Sequence, residues 1–582
     1  MGIDGLDPII LERMLGAGEL PHFSRLAATG SFHPLETVFP PQSPVVWTSI
    51  ATGVNPSQHG IHDFLTRDPG DYLPKLSILQ QGKLGYHRPY STKTFWQIAS
   101  ERGIPGTIIK WPLTFPANPM LGAMLTGLGT PDIRGTLGRY TFFTSGDIPA
   151  PEKKKGTLVK VDVAGRAITT CLTGPMSFSF GGKVETTTPL EIELGNTCIS
   201  CRLDGAAFTL EEGFWSAWVP VPFKVGFMRT VTGMCRFYLE SVKPEFNLYV
   251  TPVNLSNHMK FMPVSYPLGY AQQLADAVGP YATLGIAEDA NALNDEIIGE
   301  RPFLSGCDLV MAEREKIFCH ELARFRQGIL ACVFDTPDRL QHMFWRYLDR
   351  EHPRHDPKEA EEYAAVVPRV YQRMDGILGK VAERLDGDTL LIVCSDHGFT
   401  SFRRSVHLNT WLVQNGFMVL KEGKVAGGAL FADVDWPRTA AFAFGLNSLF
   451  LNVKNREPQG CLDGDGLAAV KEDLAVKLQT MTDGDNSVIK EVHDPGDLYG
   501  VGDGTAPDLV IGYNIGYRTS WQTALGEAPA GDFTEDNLGK WSGDHCCAPQ
   551  LVPGVFLSNR RTPLAKPHVQ DLCPAILDYL GL

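Results

Sequence analysis

Nothing in these 582 residues reads as a membrane span, because no run of about 18 apolar residues occurs. Positive charge is also scarce. Lys and Arg total 52 against 66 Asp and Glu, a formal charge of -14. The one basic cluster, Lys153-Lys154-Lys155, reads as a solvated loop, so no nucleic-acid groove is expected. Twelve cysteines over this length make no dense disulfide framework. Cys198-x-x-Cys201 has no second CxxC to complete a zinc ribbon and reads as two thiols in a strand or turn. Cys546-Cys547 read as small residues packing the floor of a site. No internal repeat is present, which excludes a solenoid. The first residues hold no basic stretch leading into an apolar run, so no secretory signal is visible. What remains is a globular composition, 43% apolar and 20% charged, over a length of about three to four domain-sized units.

Residues 1–150 alternate short apolar runs with helical stretches, as in a doubly wound α/β sheet. Leu20–Thr29 and Ser43–Thr52 have helical spacing, and Thr107–Lys110 reads as a strand. From about 151 to 260 the texture changes to Val-, Thr- and Phe-rich segments with frequent turn residues, which predicts an inserted antiparallel β unit. The α/β texture then returns. A helix is expected over Met311–Gln327 and strands over Ile329–Phe334 and Thr389–Cys394. Between those strands a long helix, Lys358–Leu385, is expected to kink at Pro368. Strands over 437–454, a helix near 464–480, a strand in VPGVFLS and a helix over Asp571–Leu580 follow. The expected division is therefore 1–150 as the first part of an α/β core, 151–300 as β-rich insert and connection, and 301–582 as the second part, with cap elements near 415–435. The insert and the cap are expected to shape a substrate entrance.

Against this plan, metal-ligand residue types recur in five short motifs: Asp4 in GIDGLDP, Ser43 in PPQSPVVW, Asp338 and His342 in DTPDRLQH, Asp396-His397 in SDHG, and His545 in SGDHC. Most lie just beyond an apolar run, the position where functional groups collect at the carboxyl edge of a parallel sheet. Asp338 and His342 are four apart and can share one helical face. Asp396 and His397 are adjacent and need a tight turn to share an ion, which Gly398 permits. Ser43 falls at a helix N-terminus, where an anion is favoured. Carboxylates mixed with imidazoles suit zinc first and manganese second, and seven such residues can hold two divalent cations. Met1-Gly2-Ile3 supplies only a stub of strand before Asp4. The expectation is a very short strand, or a true start upstream. The compartment would be cytoplasmic on the sequence as given, or exported if such an upstream start carries a signal.

The motif order, IDGLDP, then FPPQSPVVWTSIATGVNPSQHGI, TPDRLQH, SDHG and GDH, with VQDLCPAILDYLGL at the end, resembles the alkaline phosphatase superfamily in its type I phosphodiesterase and nucleotide pyrophosphatase branch. The resemblance covers residues 1–65, 329–345, 389–412 and 540–582. It implies an alkaline phosphatase-like core with Ser43 as nucleophile. It further implies one metal on Asp4, Asp396 and His397 with Ser43 as a further ligand, and the other on Asp338, His342 and His545. His59 and His62 stand outside the implied set and read as loop and packing residues. One position departs from the branch: relatives place Asn three residues after the nucleophile, and here Val46 stands there, followed by Trp47. Arg403, Arg404, His407 and Lys540, which flank metal motifs, are candidates for the replacement contact to substrate. The pattern for sulfatases is absent after Ser43.

The expected activity is hydrolysis of a small-molecule phosphate ester by two metals through a phosphoserine. A diester is expected, because no cation lies in the Ser43 motif to meet a monoester dianion, and Val46 and Trp47 could form an apolar wall for a second substituent. A phosphomonoesterase or phosphomutase on the same scaffold is the alternative. A non-catalytic binding protein using the β insert is the alternative of another class. The oligomeric state is not legible.

Overall fold

The DGLDP turn near the N-terminus shows how the first unit is built. Asp7 caps the helix Pro8–Gly16, its Oδ1 accepting the Ile10 amide at 2.9 Å, and Pro8 sits where a missing N–H costs nothing. The other oxygen of Asp7 accepts the Phe399 amide at 3.1 Å, tying this turn to the SDHGF segment. In this computed structural model, residues 1–82, 85–179, 182–226, 229–500, 504–562 and 566–582 are described. The chain forms two compact units, one of Met1–Pro105 with Val333–Leu582 and one of Gly106–Cys332. The boundary falls inside the strand Ile329–Phe334.

In the first unit the stub Gly2–Ile3 is indeed a strand of two residues. It runs parallel to Val333-Phe334 on one side and to Cys394 on the other. Gly554–Ser558 follows antiparallel to Ile392–Cys394, and Ser31–Leu35 antiparallel to Gly554–Ser558. Asp4, Asp338 and Asp396-His397 follow the parallel strands at the centre of this sheet. Ser43 instead opens the helix after the edge strand Ser31–Leu35, and His545 follows Gly543–Asp544, which pairs with Thr400–Val406 outside it. Glycine at position 2 is required by packing, since a Cβ there would lie 2.5 Å from the Trp47 ring. A smaller antiparallel sheet, Ala441–Ala443, Ser448–Leu451, Leu509–Tyr513 and Ile489–His493, carries its own core around Phe442, Phe450, Leu474 and Leu478.

In the second unit Ile329–Cys332 pairs parallel with Gly106–Trp111, which pairs parallel with Gly122–Thr126. The expected antiparallel insert is present as a meander, Ala167–Ser179, Gly182–Leu194, Cys198–Leu203 and Ala206–Glu211. Its period is two: Thr186, Thr188, Leu190, Ile192 and Leu194 point inward while the residues between them are exposed. Cys198 and Cys201 fall on opposite faces of one strand, exposed and buried respectively, so they cannot converge on one ion. The fold is thus mixed α/β with a mostly parallel main sheet and small antiparallel ones beside it.

Two expectations shift. The long helix over Lys358–Leu385 is two helices, Pro357–Tyr363 and Val366–Ala382. The break falls before Pro368, leaving that proline in the first turn, where its amide would have no helical acceptor. The helix expected over Met311–Gln327 begins eleven residues earlier, at Glu300. Among the described residues, no helix is long and apolar enough to cross a membrane.

Candidate metal centre

Each site residue is fixed by the element it leaves. Asp4 follows the two-residue strand and precedes Gly5, whose φ of 68° is left-handed. The Gly5 amide donates to Asp396 Oδ1 at 3.1 Å, and its carbonyl accepts from Gln341 Nε2 at 2.7 Å. Ser43 is the first residue of the helix Ser43–Thr52. The preceding Gln42 is wholly buried. Its Nε2 donates to Asn447 Oδ1 at 2.8 Å, and Asn447 in turn donates to the Cys546 carbonyl at 3.1 Å. The approach to Ser43 is therefore braced against the loop of His545. The helix Thr336–Phe344 places Asp338 and His342 on one face as expected, Oδ1 to Nε2 at 3.2 Å.

All seven predicted residues converge, and all are buried. Ser43 Oγ lies 3.2 Å from His397 Nε2 and 3.4 Å from Asp4 Oδ1. His397 Nε2 is 3.1 Å from Asp396 Oδ2 and 3.7 Å from Asp4 Oδ1. His545 Nε2 is 3.7 Å from Asp338 Oδ1, and its ring stacks on that of His397 at 3.5 Å. Two ligand clusters result, Asp338 with His342 and His545, and Asp4 with Asp338 and His397. Asp338 reaches both.

The donor set fits cations on grounds internal to the structure. His342, His397 and His545 each have Nδ1 against a main-chain carbonyl, that of Gly543 at 2.7 Å, Gly398 at 3.0 Å and Pro41 at 2.6 Å. A proton on Nδ1 satisfies each carbonyl and leaves the Nε2 lone pair aimed at carboxylate oxygens. Asp338 Oδ1 and Asp396 Oδ2 are themselves buried with no hydrogen-bond partner, the close approach of imidazole nitrogen notwithstanding. Lone pairs thus face lone pairs, an arrangement that a cation between them turns from repulsive to binding, and outer carbonyls of this kind are what orients metal-binding imidazoles. Burial, reinforced by the charges of Asp396 and Asp338, pushes the Asp4 carboxyl well up. Burial, together with the neighbouring His397, holds the His545 imidazole well below its ordinary value.

Three of the expected substrate contacts, Arg403, Arg404 and His407, pair with other residues of this unit. Arg403 is paired to Asp349 through Nε at 2.6 Å and to Glu351, and Arg404 to Asp483 at 2.8 Å and Asp536 at 2.7 Å. Both line an open cleft of about 610 Å³ with Tyr517 and Asn486. His407 bonds Ser520 at 2.9 Å and faces Glu535 at 3.2 Å. Lys540 is buried, with its carbonyl accepting from Arg346 at 2.9 Å. The partners of Arg403, Arg404 and His407 named here are not members of the seven-residue cluster. Val46 and Trp47 are fully enclosed, so the apolar wall expected of them is not available to a ligand. Trp47 instead donates its indole N–H to Asp4 Oδ2 at 2.9 Å. His59 bonds Ser49 at 3.0 Å, a packing role.

Sequence reasoning missed three residues. Trp47 was read only as apolar. Arg339 brings a guanidinium 3.6 Å from Asp338 Oδ2. Asp544, inside the GDH motif itself, underlies the His545 loop. Adjacency to a ligand was the only signal available for the last two.

The chain matches the type I phosphodiesterase / nucleotide pyrophosphatase family over residues 1–159 and 272–524 and belongs to it. The resemblance to the type I phosphodiesterase and nucleotide pyrophosphatase branch is thereby borne out. The unmatched stretch 160–271 contains the antiparallel meander Ala167–Glu211. His545 also falls outside the matched residues, so its place in the cluster rests on geometry. Membership makes the chain a phosphoester hydrolase of a metal-dependent family. Among solved structures, two of phosphonoacetate hydrolase from Sinorhizobium meliloti 1021, in complex with phosphonoformate and with phosphonoacetate, are similar at 13% identity and a TM-score of 0.45. Each alignment covers 99% of this chain and 94% of that one. No curated protein matches the chain.

Proposed function

We propose that this chain hydrolyses a small-molecule phosphodiester at a two-cation centre, through a phosphoserine on Ser43. The observation that carries the reading is the set of three imidazoles whose Nδ1 atoms are committed to main-chain carbonyls, with Nε2 atoms turned onto unpartnered carboxylate oxygens beside Ser43 Oγ. Asp4, Asp396, His397 and Ser43 would hold one ion and Asp338, His342 and His545 the other, zinc being the first choice and manganese the second. When bound, the pair would lower the pKa of the serine hydroxyl and offset charge on the leaving oxygen.

Ser43 Oγ forms its bond to phosphorus as the bond to the leaving oxygen breaks. Water then cleaves the phosphoserine from the side the leaving group vacated. Two displacements predict retention at phosphorus. The helix Ser43–Thr52 starts at Ser43, so its positive end would be turned to a phosphoryl group on that side chain.

Ser43→Ala should lower turnover by about a thousandfold or more while the chain still binds two zinc ions. Near-wild-type turnover in that variant sinks the nucleophile assignment. Chelation should abolish activity, with zinc or manganese restoring it. A phosphomonoesterase is the second reading, and Arg339 beside Asp338 is the observation in its favour, because a monoester dianion wants such a cation.

A further inference from the structure

One carboxylate organises the segment that carries His545. Asp544 is buried, and its Oδ1 accepts the amides of both His545 and Cys546 at 2.8 Å. Its Oδ2 accepts the Trp541 indole N–H at 2.8 Å and lies 2.8 Å from Arg518 Nε, an ion pair outside good hydrogen-bonding angles. Arg518 is in turn held by its own donation to the Thr519 carbonyl at 2.9 Å and by the Trp521 ring, 4.0 Å away.

Trp541 carries this hold to a second ligand-type side chain. Its ring stacks on His342 at 3.8 Å and 27°. His342 Nδ1 meets the Gly543 carbonyl, and the His342 carbonyl accepts the Ser542 amide at 2.7 Å. The stretch 541–546 is thus a brace whose fold Asp544 fixes, and two of the three side chains of one ligand cluster lean on it. His545 is oriented through the main chain and His342 through a stacked ring. The other cluster is coupled to the brace only at second hand, through the His397 ring stacked on His545 at 3.5 Å and through the shared Asp338.

We propose that Asp544 is a positioning residue for one half of the centre, setting affinity for the cation of Asp338, His342 and His545 without touching it. This rests on the two-cation reading above. An imidazole turned on its ring axis moves its Nε2 lone pair off the ion, and outer contacts of this kind are commonly worth about 10- to 100-fold in metal affinity.

The test is a zinc titration of the full, exhaustively chelated chain by calorimetry and equilibrium dialysis, with circular dichroism to confirm folding. Asp544→Asn can keep both amide bonds through Oδ1 but turns an NH2 onto the Trp541 and Arg518 donors. The wild type should bind two ions. The Asn variant should bind one ion about 10- to 100-fold more weakly and the other with a clearly smaller loss, with excess zinc restoring turnover. Trp541→Phe, which keeps the stacked ring and loses the donor, should weaken the same ion by less. Two ions at wild-type affinity in a folded Asp544→Asn chain, or equal weakening of both ions, overturns the proposal. If that variant does not fold, Trp541→Phe and Arg518→Lys decide it, and unchanged affinity in both overturns it. A wild type that binds no second ion overturns the two-cation reading and this inference together, whereas two ions in the wild type with no change in the variants overturns this inference alone.

Discussion

At the scale of single residues the centre is defined as much by where protons are committed as by where charges sit. Trp47 illustrates this. Its indole N–H takes one Asp4 oxygen at 2.9 Å and leaves the other toward Ser43 and His397. Asp4 is thereby held in one rotation, with Oδ1 presented to the ligand cluster. Trp47→Phe keeps most of the buried ring and removes only the donor. We expect it to cost about 1–3 kcal/mol in folding stability, the usual penalty for stranding a buried acceptor, read as a lower denaturant midpoint. Zinc affinity should fall with it, by about tenfold or more, because an oriented carboxylate becomes a rotating one. Unchanged zinc affinity in the folded variant would show that Asp4 is oriented by something else. None of this was legible in the sequence, where Trp47 is one more apolar residue of PVVWTSIA. Periodicity identifies a buried face and says nothing of which polar atom a buried indole meets.

At the scale of elements, the sequence was most informative where an element is short, apolar and followed by a ligand. Ile329–Phe334 and Ser43–Thr52 lie where their spacing put them, because a buried strand and a wholly buried helix leave strong patterns. The break between Pro357–Tyr363 and Val366–Ala382 is not legible in the sequence because Pro368, the local helix breaker, sits in the first turn of the second helix and not at the joint. The seven-residue cluster was legible as residue types, whereas its partition was not, since Asp338 joins both clusters only in three dimensions. Gly5 marks the joint on which this depends. A Cβ there would lie 2.5 Å from the Phe399 ring and 3.2 Å from the Asp338 Cα, on a left-handed backbone. Gly5→Ala should lose about 1–2 kcal/mol from the backbone alone, and more from the contact with the main chain of the Asp338 helix. A thermal melt and a zinc titration read both effects, and a variant as stable and as tight as wild type would remove the strain argument. A second element-scale expectation concerns Asp289, which caps Ala290–Asn294 and accepts the Tyr249 hydroxyl at 2.7 Å. Burial pushes its carboxyl up to about 6. Because the folded value is the higher one, its contribution is complete below about pH 4 and is lost as pH rises through 6. Stability measured from pH 4 to pH 7 should fall by about 3 kcal/mol more in wild type than in Asp289→Asn, and equal slopes would contradict the shift.

At the scale of the whole molecule, the question left to the substrate is how many charges the centre must meet. The family name speaks for a diester, yet Val46 and Trp47 are buried and supply no apolar wall for a second substituent. What stands in its place is the disposition of cations. Arg403 and Arg404 are committed to Asp349, Glu351, Asp483 and Asp536, and His407 faces Glu535. Three of the four residues considered as partners for a third phosphoryl oxygen are therefore already matched with carboxylates. Arg339 is the guanidinium that the fold sets beside the ligands, and it lies against Asp338 with its face 5.8 Å from the Trp541 ring. A monoester dianion would have to draw Arg339 from that carboxylate, whereas a diester monoanion would not. The comparison is kcat/KM for bis-(4-nitrophenyl) phosphate against 4-nitrophenyl phosphate on zinc-loaded enzyme. The diester should win by at least about tenfold, or roughly 1.4 kcal/mol in transition-state binding. Arg339→Ala should leave the diester rate within about threefold and depress any monoester rate by tenfold or more, the loss expected when one charged contact to an oxyanion goes. A monoester preference that vanishes in Arg339→Ala would move the chain to the monoesterase reading and make Arg339 its specificity residue. A monoester preference that survives the substitution would mean that the third oxygen is met by a group other than any named here.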